Sequence, residues 1–395
     1  MRVYFAPCGI GLGHVGRTIP IARALVKKNA KVMFSTYTDG IPFVEREGFP
    51  LFKAPPINFQ VKPDGSVDLK RTLVNPGPFV APLTLLRQIN AELRTLEEFS
   101  ADVVVSDSRL STLFAARIIG IPRICILNEF QVIIPRRRRL LRTARFADYI
   151  SLALIGEMWI NGNTVLIPDF PAPYTISEGN LNIPKSYKKR VRLIGPILPT
   201  RPGELEDREA LRERLHVQTR KRVIFVPISG PSEQKSFLTA MLTKILTAFP
   251  NDYEIIVSLG RPEKTEVPTR IRNVTIYEWL PNRFEYLKAC DLVIARAGHG
   301  TMTQCMCYGK PMILIPAPSQ TEQITNARQA QMLGIAGIIP QDQLNLKRLL
   351  TGVKKVFEEA MPEKALQIAK EVSQFDGLAN VLKLATEKAT NVKAF

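Results

Sequence analysis

Apolar positions along this chain fall into short runs that alternate with longer stretches at helical spacing. Arg2–Ala6, Lys31–Ser35, Asp102–Ser106, Arg123–Leu127, Asn163–Ile167 and Val191–Ile194 read as buried strands. Between them, Val15–Lys28 carries Ile19, Ala22, Leu25 and Val26 on one face, and Val80–Phe99 and Ser111–Ile119 have the same helical period. The alternation pauses at the Pro/Gly-rich stretch Pro199–Glu204 and then restarts. Arg222–Pro227, Glu254–Leu259, Val274–Tyr277, Leu292–Ala295 and Met312–Pro316 read as strands, with a helix over Glu233–Phe249 and an amphipathic helical tail from Lys364. Strand and helix in strict alternation predict parallel sheets covered by helices on both faces. The fold class expected is therefore α/β, with two Rossmann-like domains. The chain has 395 residues, too many for one ordinary core and suited to two domains of roughly 200. The expected units are 1–197, 198–363 and a terminal segment 364–395, with the linker at about 196–205.

In an open parallel sheet, ligands bind beyond the carboxyl ends of the strands, so the residues just after each strand matter most. After Leu292–Ala295 come Gly298 and Gly300, read as a tight turn, and Thr301, read as the N-cap of a helix running to about Tyr308. A glycine turn leading into a helix presents free backbone N–H groups and a positive dipole end, which suits phosphate. After the next strand come Gln320, Glu322, Gln323 and Asn326, which suit a ligand with many hydroxyls. A phosphate site beside such a cluster fits a nucleotide sugar.

The first strand leads into Gly9-Ile10-Gly11-Leu12-Gly13-His14. The spacing is not that of a dinucleotide fingerprint, and Ser35-Thr36 stands where an NAD enzyme carries an acid. His14 is one of three histidines and lies at the carboxyl edge of its strand. An imidazole titrates near neutrality, so it suits proton abstraction from a hydroxyl; a helix-capping or phosphate-binding role is the plainer reading. Arg17, one turn on, is positioned to face an anion. Asp107 either orients His14 or caps the following helix, and Glu129 is a second acidic candidate.

Composition adds three limits. A net charge of +18 favours contact with an anionic surface, nucleic acid or substrate. Its densest part is Arg136-Arg137-Arg138-Arg139 with Arg142, interleaved with leucines, which reads as a patch for anionic lipid or as a solvated helix face. The five cysteines, odd in number and mostly in apolar context, read as reduced thiols, and Cys305-x-Cys307 lacks the neighbours of a metal site. No apolar run reaches the ~18 residues of a spanning helix, and no signal peptide is legible.

The stretch Ala295–Arg328 resembles the donor signature of glycosyltransferases with the two-domain GT-B fold, nearest to MurG-type enzymes of family 28 and their UDP-glycosyltransferase relatives. Arg296, Gly298, Thr301, Gly309–Pro311, Pro316 and Glu322-Gln323-Ile324-Thr325-Asn326-Ala327 stand at the signature's spacings. The family's ribose-binding Glu is Gln304 here. The Gly-x-Gly-x-Gly-His loop is similar to the family's N-terminal loop, whose His is often the catalytic base. The resemblance implies a central cleft between two domains, a diphosphate held by Arg296 and by Gly298, His299, Gly300 and Thr301, and sugar hydroxyls held by Glu322, Gln323 and Asn326. It further implies Gln304 at the ribose, loop contacts from Gly11, Gly13, Ser229 and Gly230, and Trp279 at the base or as a plain core residue. The tail would return to the first domain. The implied activity is inverting, metal-independent hexosyl transfer, of N-acetylglucosamine or hexose, from a UDP-sugar to an acceptor hydroxyl, a lipid-linked one included. The implied location is cytoplasmic, at the inner membrane face where the basic run meets lipid. A UDP-N-acetylglucosamine 2-epimerase of the same fold and a nucleic-acid-binding protein remain as alternatives.

Overall fold

The computed structural model describes residues 1–56, 80–128, 159–160, 163–181, 183, 185–218, 220–318 and 320–392. Glu129, Arg136, Arg137, Arg138, Arg139 and Arg142 lie outside them, so the second acidic candidate and the basic run have no structural account.

The first half builds a parallel sheet from β1 (Arg2–Pro7), β2 (Lys31–Thr36), β3 (Leu51–Lys53), β4 (Val103–Asp107), β5 (Arg123–Ile126), β6 (Thr164–Ile167) and β7 (Val191–Leu193), in the order β3-β2-β1-β4-β5-β6-β7. Its helices include α1 (Gly13–Val26), α2 (Gly40–Arg46), α3 (Val80–Phe99), α4 (Leu110–Ile118) and α5 (Glu178–Leu181). Period-two alternation divides the strand residues between two cores. Val3, Phe5, Val103 and Val105 pack with Val15, Ile19 and Leu25 of α1, whereas Tyr4 and Val104 pack with Leu96 of α3 and Ala115 of α4. Both faces are covered, which is why these strands are apolar almost throughout.

After α6 (Arg208–Arg214) the second half repeats the plan. It has β8 (Arg222–Pro227), α7 (Ser232–Leu246), β9 (Tyr253–Ser258), β10 (Thr269–Ile271), β11 (Val274–Tyr277), α8 (Arg283–Ala289), β12 (Leu292–Ala295), α9 (His299–Cys307), β13 (Met312–Leu314), α10 (Thr321–Met332), β14 (Ala336–Ile338) and α11 (Leu346–Glu358). The sheet order is β10-β11-β9-β8-β12-β13-β14, parallel except for the β10–β11 pair. Ile224, Val226, Ile255 and Ile294 face α7 and α11, while Phe225, Ile256 and Val293 face α8 and α9. The architecture is the GT-B pair of α/β units. In each sheet the strand order reverses once near the middle, between β1 and β4 and between β8 and β12. Ligand crevices form at such switch points.

The tail is two helices, not one. α12 (Met361–Val372) packs on α9, then the chain turns, and α13 (Gly377–Val392) packs on α1 and β4 of the first unit. The break falls where Asp376 Oδ1 accepts from Ala379 N at 2.9 Å, an N-terminal cap that starts the second helix. The turn also locks the two crossings of the chain together. Gly377 N donates to Pro196 O, Asn380 Nδ2 to Ile194 O, and Arg201 to Asp376 and to the Ser373 and Phe375 carbonyls. Gly195 has φ +79°, and a Cβ there would stand 2.7 Å from Phe375 Cβ, so only glycine fits this crossing. A third segment also crosses. Phe170 and Ile176, just after β6, are buried in the second unit's core, and α5 lies against α10. Among the described residues, no helix is long and apolar enough to cross a membrane.

Candidate functional site

At the first switch point the residues that meet are charged. α1 starts at the end of the glycine loop and carries His14 and Arg17 on adjacent turns; β4 ends in Asp107. His14 Nδ1 lies 2.7 Å from Asp107 Oδ1. Arg17 is paired to the same carboxylate through Nε and Nη2, and reaches Asn128 through Nη1. Asp107 has no exposed surface. Burial alone would raise its pKa, but the Arg17 guanidinium and the His14 ring outweigh that and hold it below the usual carboxylate range. A carboxylate only accepts, so Nδ1 of neutral His14 carries the proton and Nε2 keeps the lone pair. The His14 side chain is 21% exposed while its partner is sealed, the arrangement of a base with an orienting acid. Arg17 therefore does not face an anionic ligand as expected: its donors are turned onto Asp107 and Asn128, with Nη2 also 3.2 Å from His14 Nδ1. Asp107 lies against His14 and does not cap α4, whose N-cap is Arg109.

At the second switch point the groups that meet are mostly backbone and uncharged. The helix α9 begins three residues earlier than the sequence suggests. Gly298 is its N-cap with φ −73°, and Thr301 lies inside the first turn and is not the cap. The chain turns here without a left-handed glycine. Gly298, Gly300 and Thr301 are partly exposed, and a Cβ on Gly298 would meet only Ser229 Oγ, at 4.0 Å. The N–H groups of α9 and the Ser229-Gly230 loop after β8 thus form one edge. Gln323 Oε1 accepts from Ala317 N at 3.0 Å, and Glu322 is partly exposed beside it. Gln304 Oε1 accepts from Arg283 Nη2 at 2.9 Å, so its amide oxygen is already engaged.

Three residues expected at the donor point inward instead. Arg296 is 4% exposed, with its guanidinium on Ile315 O and Gln341 Oε1, and burial lowers its pKa to about 10. It ties β12 to its neighbours and presents no charge to a diphosphate. Asn326 is fully buried between Asn180 Nδ2, at 3.1 Å, and Ala297 O. His299 is 2% exposed, with Nε2 at 3.1 Å from Asp169 Oδ2. Asp169 in turn accepts from the Phe170, Ile176 and Ser177 amides and the Ser177 hydroxyl. Burial would raise the Asp169 pKa, and His299 with Ser177 outweighs it. All three residues follow strands or sit on helices of the site, but their side chains lie against buried partners that no local pattern reveals.

The two edges meet directly. Gly11 approaches Gly230 so closely that a Cβ on Gly11 would lie 3.4 Å from Gly230 C, while Gly13 opens α1 with nothing within 4 Å. Asp39, which the sequence reading passed over, accepts from Gly11 N at 2.8 Å and from the Ser232 hydroxyl across the cleft. An acid at the end of β2, facing a glycine loop, was the available signal. Arg46 of α2 donates to Pro262 O and Lys264 O and pairs with Glu266. Trp279, buried, meets the edge of the Phe43 ring at 5.0 Å and has Arg46 over its face at 5.6 Å. It is an inter-unit contact, not an open platform for a base. Among the described residues, no three His, Cys, Asp or Glu side chains gather as metal ligands.

With this geometry in hand, comparison with known proteins is informative. Residues 223–382 match the glycosyltransferase family 28 C-terminal domain. An uncharacterized glycosyltransferase of Methanosarcina mazei is 25% identical over 98% of this chain and 99% of its own. A UDP-N-acetylglucosamine–N-acetylmuramyl-(pentapeptide) pyrophosphoryl-undecaprenol N-acetylglucosamine transferase of Desulforamulus reducens is 24% identical over 97% of both. Among solved structures, a Streptomyces glycosyltransferase complexed with thymidine diphosphate superposes with a TM-score of 0.62 at 15% identity, over 98% of this chain and 99% of its own. The chain is a glycosyltransferase of the GT-B fold, and its second half carries the family 28 C-terminal domain.

Proposed function

We propose that this enzyme transfers a hexosyl group, N-acetylglucosamine or a hexose, from a UDP-sugar to an acceptor hydroxyl with inversion at the anomeric carbon. The observation that carries this reading is the His14–Asp107 pair at one switch point and the N-terminus of α9 at the other, on edges that meet at Gly11 and Gly230. In the proposed reaction Nε2 of His14 takes the acceptor proton, and Asp107, neutralised by Arg17, holds the ring and stabilises the imidazolium that forms. The N–H groups of Gly298–Thr301 with Ser229 and Gly230 take up the charge of the departing diphosphate, in the place a divalent ion has in other designs. Glu322 and Gln323 hold the sugar hydroxyls. Gln304, its oxygen held by Arg283, offers its NH2 group to the ribose. In this reading 1–197 binds the acceptor, 198–363 the donor, and 364–395 ties the two together. A lipid-linked acceptor at the inner membrane face is supported by the transferase of Desulforamulus reducens and by the net charge of +18. Binding to anionic vesicles that salt releases is the corresponding behaviour.

The test is calorimetry with UDP-, dTDP- and GDP-sugars, followed by product analysis with polyprenyl-diphosphate-linked acceptors. A preference for UDP and an inverted product are expected. Binding no tighter than millimolar for every nucleotide sugar sinks the reading, and UDP-sugar turnover without any acceptor points to epimerisation instead.

A further inference from the structure

Three glutamines beside the donor edge form a chain of side-chain amides with a fixed direction. The backbone N–H of Ala317 donates to Gln323 Oε1 at 3.0 Å. Gln323 Nε2 then donates to Gln320 Oε1, and Gln320 Nε2 to Gln234 Oε1 at 3.3 Å. A glutamine amide alone can be turned end for end, but a backbone N–H can only donate. It therefore sets Gln323, which sets Gln320, which sets Gln234. The chain ends at Gln234 Nε2, which has no hydrogen-bond partner among the described residues, although Gln234 is only 4% exposed. A buried amide NH2 left without an acceptor is costly, so such a group implies a missing partner.

The position of the chain says what that partner is. Gln320 is the N-cap of α10, after β13; Gln234 is in the first turn of α7, after β8. β12 lies between those strands, so the chain bridges the loops on either side of the α9 N-terminus. Gln234 Oε1 is also 3.7 Å from where a Cβ on Gly230 would be, in the loop that abuts Gly298. Next to Gln234, the Lys235 ammonium is 4% exposed and donates to Gly260 O at 2.7 Å, placing a cation on the same turn. A donor end fixed by a backbone amide, beside a helix N-terminus and a buried ammonium, calls for a ligand atom that only accepts. We propose that Gln234 Nε2 binds a phosphoryl oxygen of the donor diphosphate, and that Gln320 and Gln323 are positioning residues that hold its polarity. This rests on the nucleotide-sugar reading above.

The test compares UMP, UDP and UDP-N-acetylglucosamine by calorimetry on the full chain. Gln234→Leu, similar in shape, is expected to weaken UDP and the UDP-sugar roughly ten- to a hundredfold, as for a hydrogen bond to a charged group. Gln323→Glu accepts from Ala317 but cannot donate to Gln320, so Gln320 and then Gln234 turn over and present an oxygen to the diphosphate. That variant is expected to weaken UDP, which has no sugar for residue 323 to touch, and to cost less when combined with Gln234→Leu than alone. Circular dichroism and thermal unfolding check that each variant is folded. Wild-type binding of UDP with no change in Gln234→Leu overturns the proposal while leaving the nucleotide-sugar reading intact. So does a loss confined to the UDP-sugar, which moves the contact to the sugar. A loss shared equally by UMP places the bonded oxygen on the α-phosphoryl group, which UMP shares with the diphosphate, and so still supports a phosphoryl contact. A wild type that binds none of the three probes overturns both.

Discussion

The two switch points occupy equivalent places in two equivalent sheets, yet they are built from different chemistry. At β1/β4 a histidine, an arginine and a sealed carboxylate pair with one another, and the group left over is a lone pair on His14. At β8/β12 the groups are backbone N–H, hydroxyl and amide, and those left over are donors. One edge can take a proton; the other can stabilise an anion. A transfer from a diphosphate to a hydroxyl needs both, at opposite ends of the bond that moves. The same topology thus carries two different chemistries because different side chains follow the equivalent strands.

Removing the leftover group at each edge separates the two roles. His14→Ala is expected to lower turnover by about 10²–10⁴ with donor affinity unchanged; loss of affinity with turnover preserved at saturation would make His14 a donor ligand. Gly298→Val is expected to do the reverse, weakening the donor about a hundredfold by covering the α9 N–H groups. The fold should survive it, because φ there is −73° and the nearest atom to an added Cβ is 4.0 Å away. Equal donor affinity in calorimetry would remove α9 from the phosphate site.

Asp107→Asn sharpens the comparison within the first edge. Turnover should fall less than in His14→Ala if the carboxylate only orients and stabilises the ring. Breaking a buried pair also costs about 3 kcal/mol of stability, read by denaturant unfolding. The sign with pH follows from the lowered pKa. The contribution is fully present above the unfolded carboxyl value of about 4 and is lost as pH falls through the lower folded value. The Asn variant should lack that acid limb. The smallest effect is expected at Arg46→Ala, where the partly exposed Glu266 pair contributes at most about 1 kcal/mol. Its reach across the cleft to Pro262 and Trp279 predicts a more open particle in solution scattering, with turnover within about twofold of wild type. An unchanged scattering profile would mean that the Asp39–Ser232 contact and the crossings at Gly195 suffice to keep the cleft closed.

Much of this was legible in the sequence. The helix Val80–Phe99 and the strands Arg222–Pro227, Val274–Tyr277 and Leu292–Ala295 have the bounds that their apolar runs mark. The two glycine-rich corners, and His14 with Asp107 as partners, were legible because strand ends announce themselves locally. Other readings failed where a side chain answers to a distant residue. Arg296, His299 and Asn326 sit in the donor signature but lie against Gln341, Asp169 and Asn180. Trp279 belongs to Phe43 and Arg46. The tail divides in two because Asp376 caps a new helix where the chain crosses Gly195.

The sequence by itself determined the alternation of strand and helix, the doubling of the α/β unit and the corners where ligands meet backbone, since each depends on neighbours within a few residues. The tertiary structure decided which polar side chains face the cleft and which are consumed in pairs. It also decided the direction of the Gln323–Gln320–Gln234 chain. A buried donor or acceptor must find a partner, and here the partners lie far along the chain, brought together only when the two sheets are packed.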